Sequence, residues 1–534
     1  MTYRILVSDN VHQEGIDRLA ARDGFAVDVR IGLSQDELKK ILANYHGLVI
    51  RSATKVTAEI LEAATELRVI GRAGTGLDNV DVTEATRRGI VVMNTPGGNS
   101  IATAEHTIGM IMAAHRHIPQ AVASMKEGKW EKKKFQGREM AGRTIGILGL
   151  GRVGSLVARL ARQGLKMNVL GYDPATTAEA ASQIGVTIAA LDQIFRTSDV
   201  ITVHTPLNDD TRDLVNAAAF AEMKNGVIII NCARGGIINE DALLESLESG
   251  KVAAAALDVL TVTPPTGHPL VKHPKVITTP HLGASTSEAQ INVAVAIVEQ
   301  IIDYLEQGVA RNAVNVPTVD AKLSLKIGPY LDLASRLAQF LGGLTSPGIV
   351  EWEMVYSGEV ASWDFRPITN AALVGLLSRF EGLDVNQVNA PLIAQDRGIR
   401  VSETTLTESS EHGSALEIRI KAEDGSLRSV QGALIRRIGH EPRIIGIDRF
   451  VTEAVPAGPM LVVTNRDIPG MIAGMSGALA AGGINIAQMN LSRDRAGGRA
   501  MSIINIDTPA DDATLEAIRN IEGILSVKQV ILDQ

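Results

Sequence analysis

Residues Thr144-Ile145-Gly146-Ile147-Leu148-Gly149-Leu150-Gly151-Arg152-Val153-Gly154 decide how the chain is read. A β-branched run, predicted as a strand, ends in G-x-G-x-x-G and passes into helical patterning. In that context the first glycine makes a tight turn, the second lets backbone N–H groups approach a pyrophosphate, and the third lets the helix pack closely. The helix N-terminus adds partial positive charge. The next predicted strand, Asn168–Asp173, ends in Gly171-Tyr172-Asp173-Pro174, nineteen residues past Gly154. A carboxylate there can accept both ribose hydroxyls of NAD and would repel a 2′-phosphate, and no arginine follows to receive NADP. The competing reading, a structural glycine turn beside a solvated aspartate, leaves the common register of strand, glycines, helix and acid unexplained.

Upstream, the first ninety-five residues alternate strands and helices in βαβ rhythm. Tyr3–Asp9, Ala26–Ile31, Gly47–Arg51, Leu67–Gly71 and Ile90–Asn94 read as strands, and Ser34-Gln35-Asp36-Glu37 has capping-box spacing before a helix through Tyr45. One long helix is expected from Ile101 to about Met125. Downstream of Asp173, strands are expected at Val200–His204, Gly226–Asn231, Ala253–Val259 and Lys275–Thr279, completing a doubly wound unit. Helical spacing over Ser287–Gly308 then stops at Asn315-Val316-Pro317. Residues 318–452 mix a helix near 320–342 with strands such as Val350–Tyr356 and Leu416–Ile420. Pro456-Ala457-Gly458-Pro459 marks a boundary, after which the order is strand (Met460–Thr464), helix (Ile472–Ala480), strand (Ile484–Leu491), strand (Met501–Ile506), helix (Ala513–Ile521), strand (Leu525–Leu532). That is βαββαβ, the ferredoxin-like order.

Composition fits several packed domains. The 534 residues are 45% apolar and 21% charged, enough for multiple cores and too apolar for disorder. The net charge of −8, with both signs scattered, offers no field to nucleic acid or anionic lipid, so the expected partners are small molecules. A single cysteine, Cys232, permits neither an internal disulfide nor a cysteine-built zinc cage, and no metal site is expected. No signal peptide or membrane-spanning run is read, which points to a cytoplasmic protein.

Ligands of open α/β sheets bind beyond the carboxyl ends of the strands. Two segments fall there: Asn231-Cys232-Ala233-Arg234-Gly235-Gly236 and Thr279-Pro280-His281-Leu282-Gly283-Ala284-Ser285-Thr286. Arg234 reads either as a bidentate clamp for a carboxylate or as a surface cation, and His281 either as a proton shuttle or as a satisfied loop histidine. Arg51 and Arg72 each end a strand of the first unit, and two guanidinium groups suit a phosphate dianion better than a plain carboxylate. Cys232 reads as a packing residue and not a nucleophile, His115 and His117 as helix or surface residues, and Lys132-Lys133-Lys134 as a solvated run.

Together with Gly71-Arg72-Ala73-Gly74-Thr75-Gly76-Leu77-Asp78-Asn79-Val80, the glycine fingerprint and the two strand-end segments resemble the D-2-hydroxyacid dehydrogenase family, through about residue 316. The remainder resembles the family's long form, which adds an intervening domain and a terminal ACT-type regulatory domain. The resemblance implies a flavodoxin-like substrate domain (1–98 and 287–316), a Rossmann NAD domain (99–286), an intervening α+β domain (317–455) and an ACT-like domain (456–534). It implies NAD-dependent oxidation of D-3-phosphoglycerate to 3-phosphohydroxypyruvate, the entry to L-serine synthesis, by a homo-oligomer, dimer or tetramer. Arg234 then holds the substrate carboxylate and carbonyl oxygen, and His281 is the general acid/base. Cofactor contacts are implied for Thr75, Gly149, Gly151, Arg152, Val153, Gly154, Asp173, Thr205, Cys232, Ala233, Arg234, Asp258, His281, Gly283 and Ala284. Substrate contacts are implied for Arg51, Arg72 and Gly74, with Lys133 and Lys134 reaching across a dimer into the neighbour's site. In the tail, Asn465, Asp467, Gly470 and Asn485 are the expected contacts of an amino-acid effector, L-serine.

One position departs from the family pattern. The family carries a glutamate that pairs with the catalytic histidine, and Leu257-Asp258-Val259-Leu260-Thr261-Val262-Thr263-Pro264-Pro265 has Thr263 there. A hydroxyl can fix a tautomer but cannot stabilise an imidazolium by charge, so reduced turnover is expected. The alternatives are oxidation of another D-2-hydroxy acid, which the extra domains and the Arg51/Arg72 pair oppose, and a non-catalytic NAD sensor, which retention of Arg234 and His281 opposes.

Overall fold

The structure is a computed structural model that describes residues 2–317, 321–345, 348–381, 385–406, 413–435 and 441–532. Among these residues the strands form four sheets, two of them wholly parallel. The first has five strands in the order 2-1-3-4-5. Its central strand, Gly47–Ile50, is buried along its whole length and so reads as an apolar run without alternation. One covering helix, Ser287–Gln307, returns from far along the chain and packs Val293, Ile297 and Ile301 against Val7, Val49 and Val69.

The second sheet has seven strands in the order 7-6-5-4-1-2-3. Its first and fourth strands, Thr144–Leu148 and Val200–Val203, lie side by side, so the strand order reverses between them and a crevice opens at their carboxyl ends. The third strand, Thr187–Ile188, is too short for alternation to reveal in the sequence. The long helix expected from Ile101 is two helices, Ser100–Arg116 and Ile118–Lys126, divided at His117 in the left-handed region (φ 53°). Pro119 explains the break: it has no N–H to give the preceding turn, and its ring disfavours helix before it. The freed His115 carbonyl accepts instead from the Arg138 backbone N–H.

The third sheet has six strands, one parallel pair (Ile349–Ser357 with Arg400–Leu406) and the rest antiparallel. The expected helix near 320–342 runs Ala321–Leu344, residue 320 lying outside the described residues. This helix and Arg366–Glu381 pack Leu337, Phe340 and Leu376 onto Trp352, Met354 and Tyr356. The last sheet is antiparallel, four strands in the order 2-3-1-4, with helices Met471–Ala481 and Asp512–Arg519 on one face. Its other face is covered too. Met460, Val462, Met501, Ile503, Val530 and Leu532 enter the same core as Leu333 and Trp352. Residues 455–457 therefore link two sheets that share one interior, and Gly458 and Pro459 already belong to the first strand of the second. The expected fold class stands: two doubly wound parallel units, then two α+β units, the last ferredoxin-like.

Among the described residues no helix is long and apolar enough to cross a membrane.

Candidate active site

The fingerprint loop is shaped for a phosphate. Gly149 sits at φ 94°, and a Cβ there would lie 2.7 Å from the His204 carbonyl oxygen. A Cβ on Gly154 would overlap the Gly149 carbonyl, whereas one on Gly151 meets nothing within 4 Å, so the open side of the loop is at the middle glycine. Gly151 caps the helix Arg152–Gln163, whose first N–H groups face that space. Asp173 is tied to the same loop, accepting from Leu150 N–H at 2.8 Å and from Ala175 N–H at 2.8 Å. Across the crevice the Thr205 hydroxyl is buried without a partner, a polar atom awaiting a ligand. His204 beside it is half-buried, and loss of water lowers its pKa to about 4, so it adds no positive charge to the crevice at neutral pH. Arg152 is exposed with its side chain beside Gly97, and Val153 is packed into the domain core. These features fit a dinucleotide.

The two strand-end loops are rigidly braced. Asn231, buried, accepts from Ala233 N–H and donates to the Arg234 carbonyl at 2.8 Å, which fixes the turn that presents Arg234. Cys232 is buried, and burial pushes its thiol up to about 12 while a Thr107 hydrogen bond offsets part of this, so it stays protonated and unreactive. Asp258 anchors the other loop, accepting from the Thr279 hydroxyl at 2.6 Å, Leu282 N–H at 2.7 Å and Gly283 N–H at 2.8 Å. Burial alone would raise this carboxyl, but these donors and His106 outweigh it and hold the pKa at about 2. His106 Nε2 lies 3.3 Å from Asp258 and 3.2 Å from the Thr279 hydroxyl. Ala284 continues this loop, half-buried.

His281, at φ 56°, donates its backbone N–H to the Asp258 and Thr279 carbonyls, which turns its side chain out of the loop. The residue is exposed at the cleft, yet the surrounding walls remove enough water to hold its pKa below the usual histidine value; Asp258 pulls the other way, and Arg234 and Arg72 add to the lowering. Among the described residues no side chain hydrogen-bonds the His281 ring. Thr263, expected at the partner position, lies in an exposed segment that enters a cis Thr263–Pro264 bond.

The first domain supplies the facing wall. Arg51 gives its backbone N–H to the buried Asp9 at 2.6 Å and its guanidinium to the Asn10 carbonyl at 3.0 Å. Asp9 also accepts from the Thr54 N–H and hydroxyl, so one buried carboxylate shapes the whole Arg51–Thr54 turn. Arg72 leans over Gly74, and its Nε is buried without a partner. Burial first, then the neighbouring charges of Arg234 and Arg51, lower its pKa to about 10. Thr75, exposed, bonds Asn99 at 3.0 Å. Arg234 crosses the cleft to this wall, its Nε donating to Asp78 Oδ2 at 3.0 Å. Three guanidinium groups thus share one basin, an arrangement that attracts a small polyanion.

Other predicted residues stand apart. Lys134 pairs with Glu131 at 3.5 Å in a hollow lined by His117, Lys129 and Lys275, and Lys133 is exposed. Asn465 and Asp467 lie at one end of the helix Met471–Ala481, with Gly470 as its N-cap, while Asn485 follows its other end and bonds Asp507. Eleven residues of helix are about 16 Å long. The expectation that one serine touches Asp467 and Asn485 is corrected for a single chain: the ferredoxin-like connection puts them at opposite ends of the sheet. Sequence reading missed His106, Asp9 and Asp78, because each acts through a partner far along the chain.

Family models match three stretches: the NAD-binding domain of D-isomer specific 2-hydroxyacid dehydrogenases over residues 108–283, the D-3-phosphoglycerate dehydrogenase intervening domain over 326–448, and the ACT domain over 460–523. Among similar proteins, a D-3-phosphoglycerate dehydrogenase of Archaeoglobus fulgidus is 40% identical over 99% of this chain and 100% of its own length. One of Bacillus subtilis is 39% identical over the same shares. Among solved structures, D-lactate dehydrogenase of Escherichia coli aligns with a TM-score of 0.53 and 28% identity, covering 58% of this chain and 99% of that one. With its full length matched at this identity, the chain belongs to the D-3-phosphoglycerate dehydrogenase family.

Proposed function

We propose that the chain is an NAD-dependent dehydrogenase that oxidises D-3-phosphoglycerate at C2 to 3-phosphohydroxypyruvate, the entry to L-serine synthesis. One observation carries the choice of substrate: Arg51, Arg72 and Arg234 share a basin in which the Arg72 Nε is buried and unpaired. A substrate with a phosphate at one end and a carboxylate at the other meets all three cations, whereas lactate or glycerate leaves a buried donor unsatisfied. Bound NAD supplies the hydride acceptor. Backbone N–H groups at Gly151–Val153 hold the pyrophosphate, Asp173 the ribose hydroxyls, and the Thr205 hydroxyl gains its missing partner. Arg234 draws the C2 oxygen and carboxylate into line. His281, whose pKa burial lowers, takes the C2 hydroxyl proton at a ring nitrogen. Asp258 keeps the loop 279–283 in place while it does so.

The enzyme is cytoplasmic and a homo-oligomer. Ile118, Val122, Met125 and Trp130, 48%, 47%, 55% and 80% exposed, form an apolar stretch suited to a second copy, and the adjacent Lys133 and Lys134 would then reach the neighbour's cleft. L-Serine is the effector, held between two ACT domains that give Asn465, Asp467 and Gly470 from one chain and Asn485 from the other. The buried, unpaired Asn465 Oδ1 supports this. The activity is tested by mixing the purified chain with NAD and D-3-phosphoglycerate at alkaline pH and following NADH absorbance. NADH formation supports the reading, and none at any substrate concentration overturns it.

A further inference from the structure

The cation that bridges the cleft already carries an anion of the protein's own. Arg234 projects from the loop after Val227–Asn231, and its guanidinium has two acceptors: Asp78 Oδ2 at 3.0 Å from Nε, and the Ala233 carbonyl at 2.7 Å from Nη1. Asp78 belongs to the other wall, in the turn after Val69–Arg72. Among the described residues Arg234 is the one side-chain partner of its carboxylate, and that carboxylate is 64% exposed. The turn is built to let the pair close. A Cβ on Gly76 would overlap Arg234 Nη2 and stand 2.8 Å from Asp78 Oδ2, so the guanidinium approaches the turn this closely only because residue 76 is glycine. Neighbouring Asn79 is fixed, donating to the Arg51 and Thr54 carbonyls at 2.8 and 2.6 Å, which holds the turn near the three arginines.

We propose that Asp78 is a resident carboxylate that occupies Arg234 while the cleft is empty and is displaced by the anionic end of the substrate. The proposal rests on the reading that Arg234 receives the substrate carboxylate. Nε and Nη2 form the edge of a guanidinium that takes a carboxylate through two parallel bonds, and Asp78 holds that edge by a single bond at Nε. An incoming carboxylate that offers both oxygens therefore gains a bond that Asp78 does not make. Displacement is easy, because an ion pair this exposed is weak and the released carboxylate swings into water. It also raises selectivity. A substrate must bring enough negative charge to replace Asp78 beside Arg234 and to satisfy Arg72 and Arg51, which a dianionic phosphate attached to a carboxylate does and a lone monoanion does poorly.

Asp78→Asn keeps the shape of the turn and removes the competing charge. A competitor of this exposure holds its partner by a factor of about two to five. The variant should therefore raise kcat/KM for D-3-phosphoglycerate by roughly two- to five-fold, entirely through a lower KM, and improve D-glycerate at least as much. Asp78→Glu, which retains the carboxylate, should keep the parental KM. NADH binding, followed by fluorescence, verifies that both variants are folded. A higher or unchanged KM in Asp78→Asn overturns the proposal, a rise showing that Asp78 orients Arg234 for the substrate. Failure of the parent to oxidise D-3-phosphoglycerate would strike the functional reading itself. In that case 3-phosphoglycerate binding measured by calorimetry on parent and Asp78→Asn still tests displacement, tighter binding to the variant supporting it and equal or weaker binding overturning it.

Discussion

The cleft and the C-terminal sheet treat sequence distance in opposite ways. In the cleft, Asp78 and Arg234 lie 156 positions apart and touch. In the tail, Asp467 and Asn485 are close in sequence and stand at opposite ends of an eleven-residue helix. Topology makes the difference. In a parallel sheet every strand points the same way, so the loops that follow all strands gather on one edge. In βαββαβ the first helix runs back across the sheet, so the residues before it and after it are parted by its length. One chain therefore brings Asp78 and Arg234 together, and a site made of Asp467 and Asn485 needs two.

The largest effect should come from the completed cleft. His281→Gln removes the proton acceptor and should lower kcat by about 10²–10⁴-fold while NADH affinity is retained. A loss under ten-fold would mean that the proton leaves by another route. Next is Thr263→Glu. A carboxylate beside His281 opposes the lowering that burial imposes, so the ring gains protons more readily and the limb of the pH–rate profile shifts to higher pH. Turnover should rise by about ten-fold, since the imidazolium formed in the reaction is then stabilised by charge. An unmoved profile with unchanged kcat would show that His281 already has the support it needs.

Smaller effects sharpen the contrast. Asp173 should make NAD preferred, and Asp173→Ala should narrow the NAD/NADP ratio of kcat/KM by roughly ten-fold, the lower part of a near-surface charge repulsion. Equal use of both cofactors by the parent would remove the claim. In the tail, Asp467→Ala and Asn485→Ala should each abolish serine binding in calorimetry, yet the two variants unfolded together and reassembled should recover about a quarter of the sites, those in mixed dimers that pair two intact halves. No recovery would return both residues to a site within one chain.

What the sequence revealed follows the same division. Gly149, Gly151, Gly154 and Asp173 were legible because their chemistry is local to one strand, one turn and the next strand. Arg234 and His281 were legible as strand-end residues, since a parallel sheet fixes which edge they occupy. Pairings were hidden. Nothing local links Asp78 to Arg234, which meet only because two domains face each other, or His106 to Asp258, which meet only when a helix packs across the strand ends of one domain. The shared core was hidden for a related reason. Alternation along Met460–Val463 shows that both faces of the last sheet are apolar, but not that Leu333 and Trp352 cover one of them. The break at His117 was legible in principle, through Pro119, but the apolar spacing continues across it and outweighed that signal.

The central claim is that three arginines from two domains select a phosphorylated 2-hydroxy acid. It is tested most directly by kcat/KM for D-3-phosphoglycerate and for D-glycerate, measured with NAD in the parent and in Arg51→Ala. Each charge-assisted contact is worth about 1.5–3 kcal/mol, so the parent should prefer the phosphorylated substrate by roughly a hundred-fold or more, and Arg51→Ala should lower that preference by about ten-fold or more. Equal activity of the parent on both substrates, or a preference that Arg51→Ala leaves intact, would contradict it.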